Sequence, residues 1–258
     1  MDKNFEVALV KYLLILFRCS SFLMLTPVFG RREIPAHVKI GLSALLSFIV
    51  HPIIPDPNLN SNLWIMATGV LKEFMAGISM GYAAFLLFSS VYLAGEIIDI
   101  EMGFGIVNVL DPQSNTQVPL MGNYYYILTV LLFLTVNGHH MLISTIIKSY
   151  ELLPLGEAVY REGLLNMIII GFKDMFILGV QIALPVVSII FLTDFALGII
   201  ARTVPQMNVF MVGLPVKIAV GMVGMIIVFP MYLVIMDVIY NGTYEKMLMI
   251  IQEMLVRP

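Results

Sequence analysis

The chain has 258 residues, 60% of them hydrophobic and 12% charged, with a formal net charge of −3 and a mean hydropathy of +0.96. A water-soluble domain carries about 25% charged residues, so this much apolar surface must be covered by lipid or by other apolar helices. The small net charge excludes the basic footprint of a nucleic-acid binder, and the lone Cys19 excludes an intrachain disulfide framework.

Apolar runs long enough to suggest membrane spans fall at about 5–29, 38–54, 64–94, 123–147, 165–200 and 209–240. The opening MDKNFEVALVKYLLILFRCSSF reads as a retained first helix, because Lys11 and Arg18 interrupt what a signal peptide would keep apolar. Pro27–Gly30 ends the first run, and Pro52, Pro55 and Pro57 end the second. The runs at 64–94 and 165–200 exceed one straight crossing and are expected to be tilted, broken or partly outside the bilayer. No barrel pattern is present, so the fold class is all-α, a polytopic membrane protein. Arg31, Arg32 and Lys39 favour a cytoplasmic loop, yet alternation would put Lys148 and Arg161 on the opposite side. That conflict predicts that not every run crosses.

Charge within the runs comes next. Lys11 and Arg18 are seven apart and share a helix face, as do Asp174, Gln181 and Ser188. Lys72–Glu73, Asp194, Lys217 and Asp237 also lie in apolar sequence. A charge at bilayer centre costs about 2.5–3.5 kcal/mol even on lenient scales, so these side chains face protein or water. Ion pairing within and between subunits is expected ahead of a proton relay. Lys11, Arg18, Asp194, Arg202 and Lys217 are the candidate buried or assembly charges, and Lys217 is expected to have a buried partner. Gly77-x-x-x-Gly81 and the pair Gly221 and Gly224 allow close helix approach. Nine of the 19 Met follow residue 200, which suits either a loosely specified core or an adaptable partner surface.

Candidate chemistry is sparse. His139 and His140 are adjacent and on a helix would diverge by about 100°, which disfavours a shared metal ion. No nucleophile elbow, P-loop or HExxH occurs, and Gly103-Phe104-Gly105 lacks the rest of a dinucleotide fingerprint. The expected catalytic, cofactor and metal sets are empty. What remains is EIIDIEMGFGIVNVLDPQSNTQVP at 96–119, with four acids, no basic residue and two prolines. Pro112 biases Asp111 away from the helical region, and Asp111–Asn115 reads as a turn. Irregular backbone at membrane depth survives only when buried in protein or lining a cavity. An apolar, glycine-hinged plug and an ordinary re-entrant connector both fit.

Four stretches together resemble the FliR family of flagellar type III export-gate proteins, whose injectisome counterpart is the SctT-type subunit. They are TPVFGRREIPAHVKIGLSALLS (26–47), GEIIDIEMGFGIVNVLDPQSNTQVPLMGNYYY (95–126), LLFLTVNGHHMLI (131–143) and GLPVKIAVG (213–221). The resemblance covers nearly the whole chain, and the Asp-Pro-Gln-Ser and Asn-Gly-His-His patterns look more flagellar than injectisome-like. It implies a FliP-like unit fused to a FliQ-like hairpin, a single export-gate domain over 1–258, and no fused FlhB-like domain. It also implies assembly with FliP-like and FliQ-like subunits, a separate FlhB-like partner, and passage of unfolded proteins across the bacterial cytoplasmic membrane at the flagellar basal body. In such a gate the matching loop plugs the pore. Phe104, Ile106, Val107, Val109 and Leu110 would seal it, Gly103 and Gly105 would be hinges, and Asp111-Pro112 the fixed turn. A secondary transporter using the intramembrane charges is the alternative.

Overall fold

The structure, a computed structural model, describes residues 3–31, 33–56, 63–105 and 119–255. Among these residues the secondary structure is helical: α1 (Lys3–Leu25), α2 (Ala36–Val50), α3 (Leu63–Met102), α4 (Leu120–Thr135), α5 (Gly138–Leu152), α6 (Glu162–Thr203) and α7 (Val209–Glu253). The all-α expectation holds, with four helices long and apolar enough to cross a membrane, or five if one bent pair counts as a span.

Several boundaries differ from the sequence expectation. The run at 38–54 folds as a helix of 15 residues, about 22 Å long and short of a hydrocarbon core of about 30 Å. The run at 123–147 breaks between α4 and α5 with a bend of 72°. Asn137 makes that bend with φ 59°, a left-handed conformation that Asn tolerates better than most residues. Its carbonyl accepts from His140 and Met141 to start α5. By contrast, the overlong runs are continuous helices of 40, 42 and 45 residues. Each is about 60 Å or longer, twice the hydrocarbon core. The third apolar run stops at 94 in the sequence, but α3 continues to Met102, so the acidic stretch 96–101 is helical.

Polar side chains on these helices turn their hydroxyls back on their own backbones. Ser43, Ser47, Thr145 and Ser188 each donate to the carbonyl four residues earlier at 2.7 Å. A hydroxyl that supplies its own acceptor can sit in apolar surroundings without an unmet donor.

The chain divides into two compact units. The first comprises Met1–Leu87, Phe133–Phe172 and Tyr240–Pro258. Its core includes Leu14, Ile15 and Phe22 of α1, all at 0% exposure. A Cβ on Gly77 would overlap Ser21 Oγ and the Arg18 carbonyl, and one on Gly81 would lie 2.9 Å from Leu25 Cβ. The Gly-x-x-x-Gly spacing thus brings α1 and α3 into backbone contact. A strap at 153–160 closes this unit: Val159 N–H donates to the Met254 carbonyl at 3.0 Å, and Tyr160 Oη donates to the Lys72 carbonyl.

The second unit comprises Phe88–Leu132 and Lys173–Ile239. Here the last turns of α3 pack on the start of α4, and Gly224 of α7 lies against Ile189 of α6. Thr129 and Tyr232 share a hydrogen bond between their hydroxyls, and Tyr232 Oη also reaches the Tyr125 carbonyl at 3.3 Å. Large apolar side chains on α6 and α7 remain exposed, among them Phe191, Phe195 and Ile226. Such surface calls for lipid or neighbouring subunits.

Candidate functional site

The two ends of the 103–119 stretch are anchored in the second unit. At the near end Gly103 has φ 89°. Its N–H donates to the Ile100 carbonyl at 3.1 Å, and Phe104 N–H donates to the Asp99 carbonyl at 3.0 Å. These two bonds form a Schellman motif that ends α3 and satisfies its last carbonyls. The conformation is one that glycine adopts freely and a β-branched or bulky residue does not. Gly103 therefore fixes the direction in which the chain leaves the helix. Gly105 sits in open space and has no positive φ, so of the two expected hinge glycines Gly103 is the one in a left-handed conformation.

At the far end the α4 N-terminus is capped from a distance. Both carboxylate oxygens of Asp99 accept from Met121 N–H, at 3.0 and 2.9 Å, and one accepts from Gly122 N–H at 3.3 Å. First-turn N–H groups have no partner within their own helix, and their positive end of the dipole favours a carboxylate. Asp99 itself is buried. The approach that makes this possible is a contact between glycines. A Cβ on Gly95 would lie 2.5 Å from the Cα and N of Gly122.

Beside this anchor lies an apolar cavity of about 620 Å³, lined by Met121 and Tyr125 of α4, Ile182 of α6, and Met222, Phe229 and Tyr232 of α7. Met102 is fully buried and its thioether packs against Gly221, where a Cβ would be 2.5 Å from its methyl. The glycine at 221 thus receives a side chain, whereas Gly77 and Gly95 receive backbone.

Of the expected plug residues, Gly103, Phe104 and Gly105 are described, with Phe104 half-buried. Ile106, Val107, Val109, Leu110, Asp111 and Pro112 lie outside the described residues.

The candidate charges fall into three environments. Arg18 is fully buried. Its Nε and Nη2 donate to the two Glu73 oxygens at 2.5 and 3.0 Å, its Nη1 to Ser149 Oγ at 3.2 Å, and both Nη to the Leu153 carbonyl at 3.1 Å. The Tyr150 ring lies 4.3 Å from the guanidinium. Gly156 N–H completes Glu73 at 2.8 Å. This bidentate pair ties α1, α3, α5 and the strap together, so Arg18 acts within the chain. Lys217 bonds Asp194 at 2.6 Å, with a quarter to a third of each side chain exposed. The expected partner is present but only partly covered.

The third environment is the margin of the fold, where one or both partners of a charge are exposed. Lys11 is buried and reaches an exposed Asp56 at 2.9 Å, holding that carboxyl below its usual range through the hydrogen bond and the ammonium charge. Arg31 does the same for the exposed Glu33, chiefly through a side-chain hydrogen bond. Arg202, expected as a buried or assembly charge, is not buried within the chain: it is exposed. It occupies the last turn of α6, where a cation suits the carbonyl end of the helix dipole. The two histidine rings, expected to diverge, lie with centroids 4.2 Å apart.

Sequence reasoning missed the roles of Glu73 and Asp99. The signal was there: Glu73-x-x-x-Gly77 and Gly95-x-x-x-Asp99 each put a carboxylate one helical turn from a glycine, on the same face. A bare glycine face admits another helix, and the acid beside it must then find a donor on that helix.

Comparison with known proteins decides the family. Residues 9–242 match the model described as Bacterial export proteins, family 1. The chain belongs to that family. Proteins named flagellar biosynthetic protein FliR are similar over almost the whole length. That of Bacillus subtilis (strain 168) is 38% identical over 242 residues, 92% of each chain. That of Aquifex aeolicus (strain VF5) is 32% identical over 243 residues, again 92% of each. That of Escherichia coli (strain K12) is 27% identical over 239 residues, 93% of this chain and 92% of the relative. The anchor residues Gly95, Asp99, Gly103, Met121 and Gly122 all lie within the span of the family match.

Proposed function

We propose that this export-family chain is a non-enzymatic pore subunit of the flagellar protein export gate in the bacterial cytoplasmic membrane. In this reading it assembles with FliP-like and FliQ-like subunits and works beside a separate FlhB-like protein. The whole chain serves as one export-gate domain. Residues 103–112 plug the channel for unfolded flagellar proteins, with Phe104, Ile106, Val107, Val109 and Leu110 as the apolar seal. An apolar constriction resists water and ions by dewetting and can still yield to an extended polypeptide.

The observation that carries this reading is the anchoring of both ends of 103–119 at the α3 and α4 termini. The backbone-fixed exit at Gly103 and the Asp99 cap on α4 give the chain between them defined points of departure and return. The exposed apolar faces of α6 and α7 support obligate assembly.

The test is native mass spectrometry of the chain co-expressed with FliP-like and FliQ-like subunits, with an ion-leak assay in cells. Wild type and a variant lacking 104–110 are compared. A hetero-oligomer that assembles in both cases and leaks only with the deletion supports the reading. A self-sufficient monomer or homodimer would replace the gate with a transporter. An intact complex without leak would leave 104–110 as a connector.

A further inference from the structure

Three acids, Glu96, Asp99 and Glu101, crowd the last two turns of α3, and the last turn carries no basic residue. Negative charge at a helix C-terminus opposes the helix's own dipole, and an ionisable group in an apolar span invites a functional explanation. Within its own helix Asp99 is badly placed. Toward α4 it is well placed, because its carboxylate meets two first-turn N–H groups of a helix of 16 residues. Its own carbonyl meanwhile accepts from Phe104 N–H. One residue therefore holds both ends: its backbone closes the exit from α3, and its side chain closes the entry to α4.

We propose that Asp99 is the positioning residue of the export seal, acting as a geometric clamp between α3 and α4 rather than as a carrier of protons or ions. The proposal rests on the plug reading of 103–112. Without the clamp, the first turn of α4 loses its acceptors, and the point at which the plug-bearing segment rejoins the helices is no longer fixed. A seal by dewetting depends on the width of the constriction, so shifting that point opens a path for ions. Met121 is both an Asp99 partner and a wall of the adjacent cavity, so the same slip also disturbs that wall.

Two roles for a buried carboxylate predict opposite orders in a variant series. Asp99→Asn loses the charge but keeps an acceptor oxygen at the same distance, and Asn caps helix N-termini about as well as Asp. Asp99→Glu keeps the charge but moves the carboxylate by one methylene. Asp99→Ala loses both. The measurement is ion leak in cells per assembled gate, with gate copy number taken from the purified complex. The deletion of 104–110 is run alongside.

Loss of a cap shifts the local equilibrium by roughly five- to thirty-fold. Leak per gate is therefore expected to rise by about that factor in Asp99→Ala and Asp99→Glu, and to stay within about threefold of wild type in Asp99→Asn. If Asn leaks like Ala while Glu behaves as wild type, charge is the active property and the clamp is overturned. Equal, wild-type leak per gate in all three variants overturns it too. If Asp99→Ala yields no complex, the Asn and Glu pair decides by the same order. A leaking deletion with silent Asp99 variants removes this inference alone; an assembled, non-leaking deletion removes the plug reading beneath it.

Discussion

Helix α3 makes two glycine-mediated crossings with opposite electrostatics. Near its start, Gly77 and Gly81 admit α1, and the acid one turn away, Glu73, meets the guanidinium of Arg18. Near its end, Gly95 admits α4, and the acid one turn away, Asp99, meets only main-chain donors among its described bonds. The first arrangement uses a full ion pair whose remaining donors are filled by Ser149 and the Leu153 carbonyl. The second uses the unmet N–H groups of a helix start. An ion pair locks four segments wherever their helices begin and end, whereas a capped helix start depends on where one particular turn begins. The first suits a permanent core, and the second suits a place where the chain must leave and return at fixed points.

Removing one partner of the ion pair tests the contrast most severely. Glu73→Ala leaves a buried, uncompensated guanidinium, which costs about 3–5 kcal/mol. The expected outcome is loss of the chain from membranes, read by immunoblot, with thermal unfolding of any purified complex at lower temperature. A wild-type level would show that Arg18 finds other support and that the first crossing is not a permanent lock.

A steric change should cost less. Gly95→Ala places a methyl against the backbone of Gly122, where no side chain can move aside, and overpacking of this kind costs about 1–3 kcal/mol. It should also reproduce the leak of Asp99→Ala, because separating the helices pulls the carboxylate from α4. Gly95→Ala with normal stability and no leak would mean that the crossing relaxes freely and does not set the cap.

Lys217→Ala removes the partly covered pair with Asp194 and should cost about 1 kcal/mol or less within the chain. Any larger drop in the yield of hetero-oligomer would place that pair at a subunit boundary. The smallest effect belongs to Asp56. Its carboxyl titrates below the usual range because of Lys11, so the pair contributes above the unfolded carboxylate value and is lost as pH falls through the lowered folded one. Asp56→Asn should remove a shallow acid-side slope from thermal stability measured between about pH 6 and about pH 3. An unchanged slope would assign the acid response to other carboxylates.

The sequence alone determined the class and much of the packing logic. Apolar runs broken by prolines left helices as the one way to satisfy backbone in lipid, and Gly77-x-x-x-Gly81 correctly marked a close crossing. Lys217 in GLPVKIAVG called for a buried partner, and Asp194 meets it while staying partly exposed. Tertiary structure decided the rest, because period and composition state that a face is buried without stating against what. Arg18 and Glu73 lie 55 positions apart, and Asp99 and Met121 lie 22 apart. No local rule relates residues at such distances. Local rules also failed at the helix ends. Asn137 bends an apolar run that periodicity reads as continuous, and α3 runs on through three acids that composition reads as a loop. At the bend the support is itself local, the Phe133 ring packing on Gly138 across it; at the end of α3 it is tertiary, the α4 N-terminus receiving Asp99.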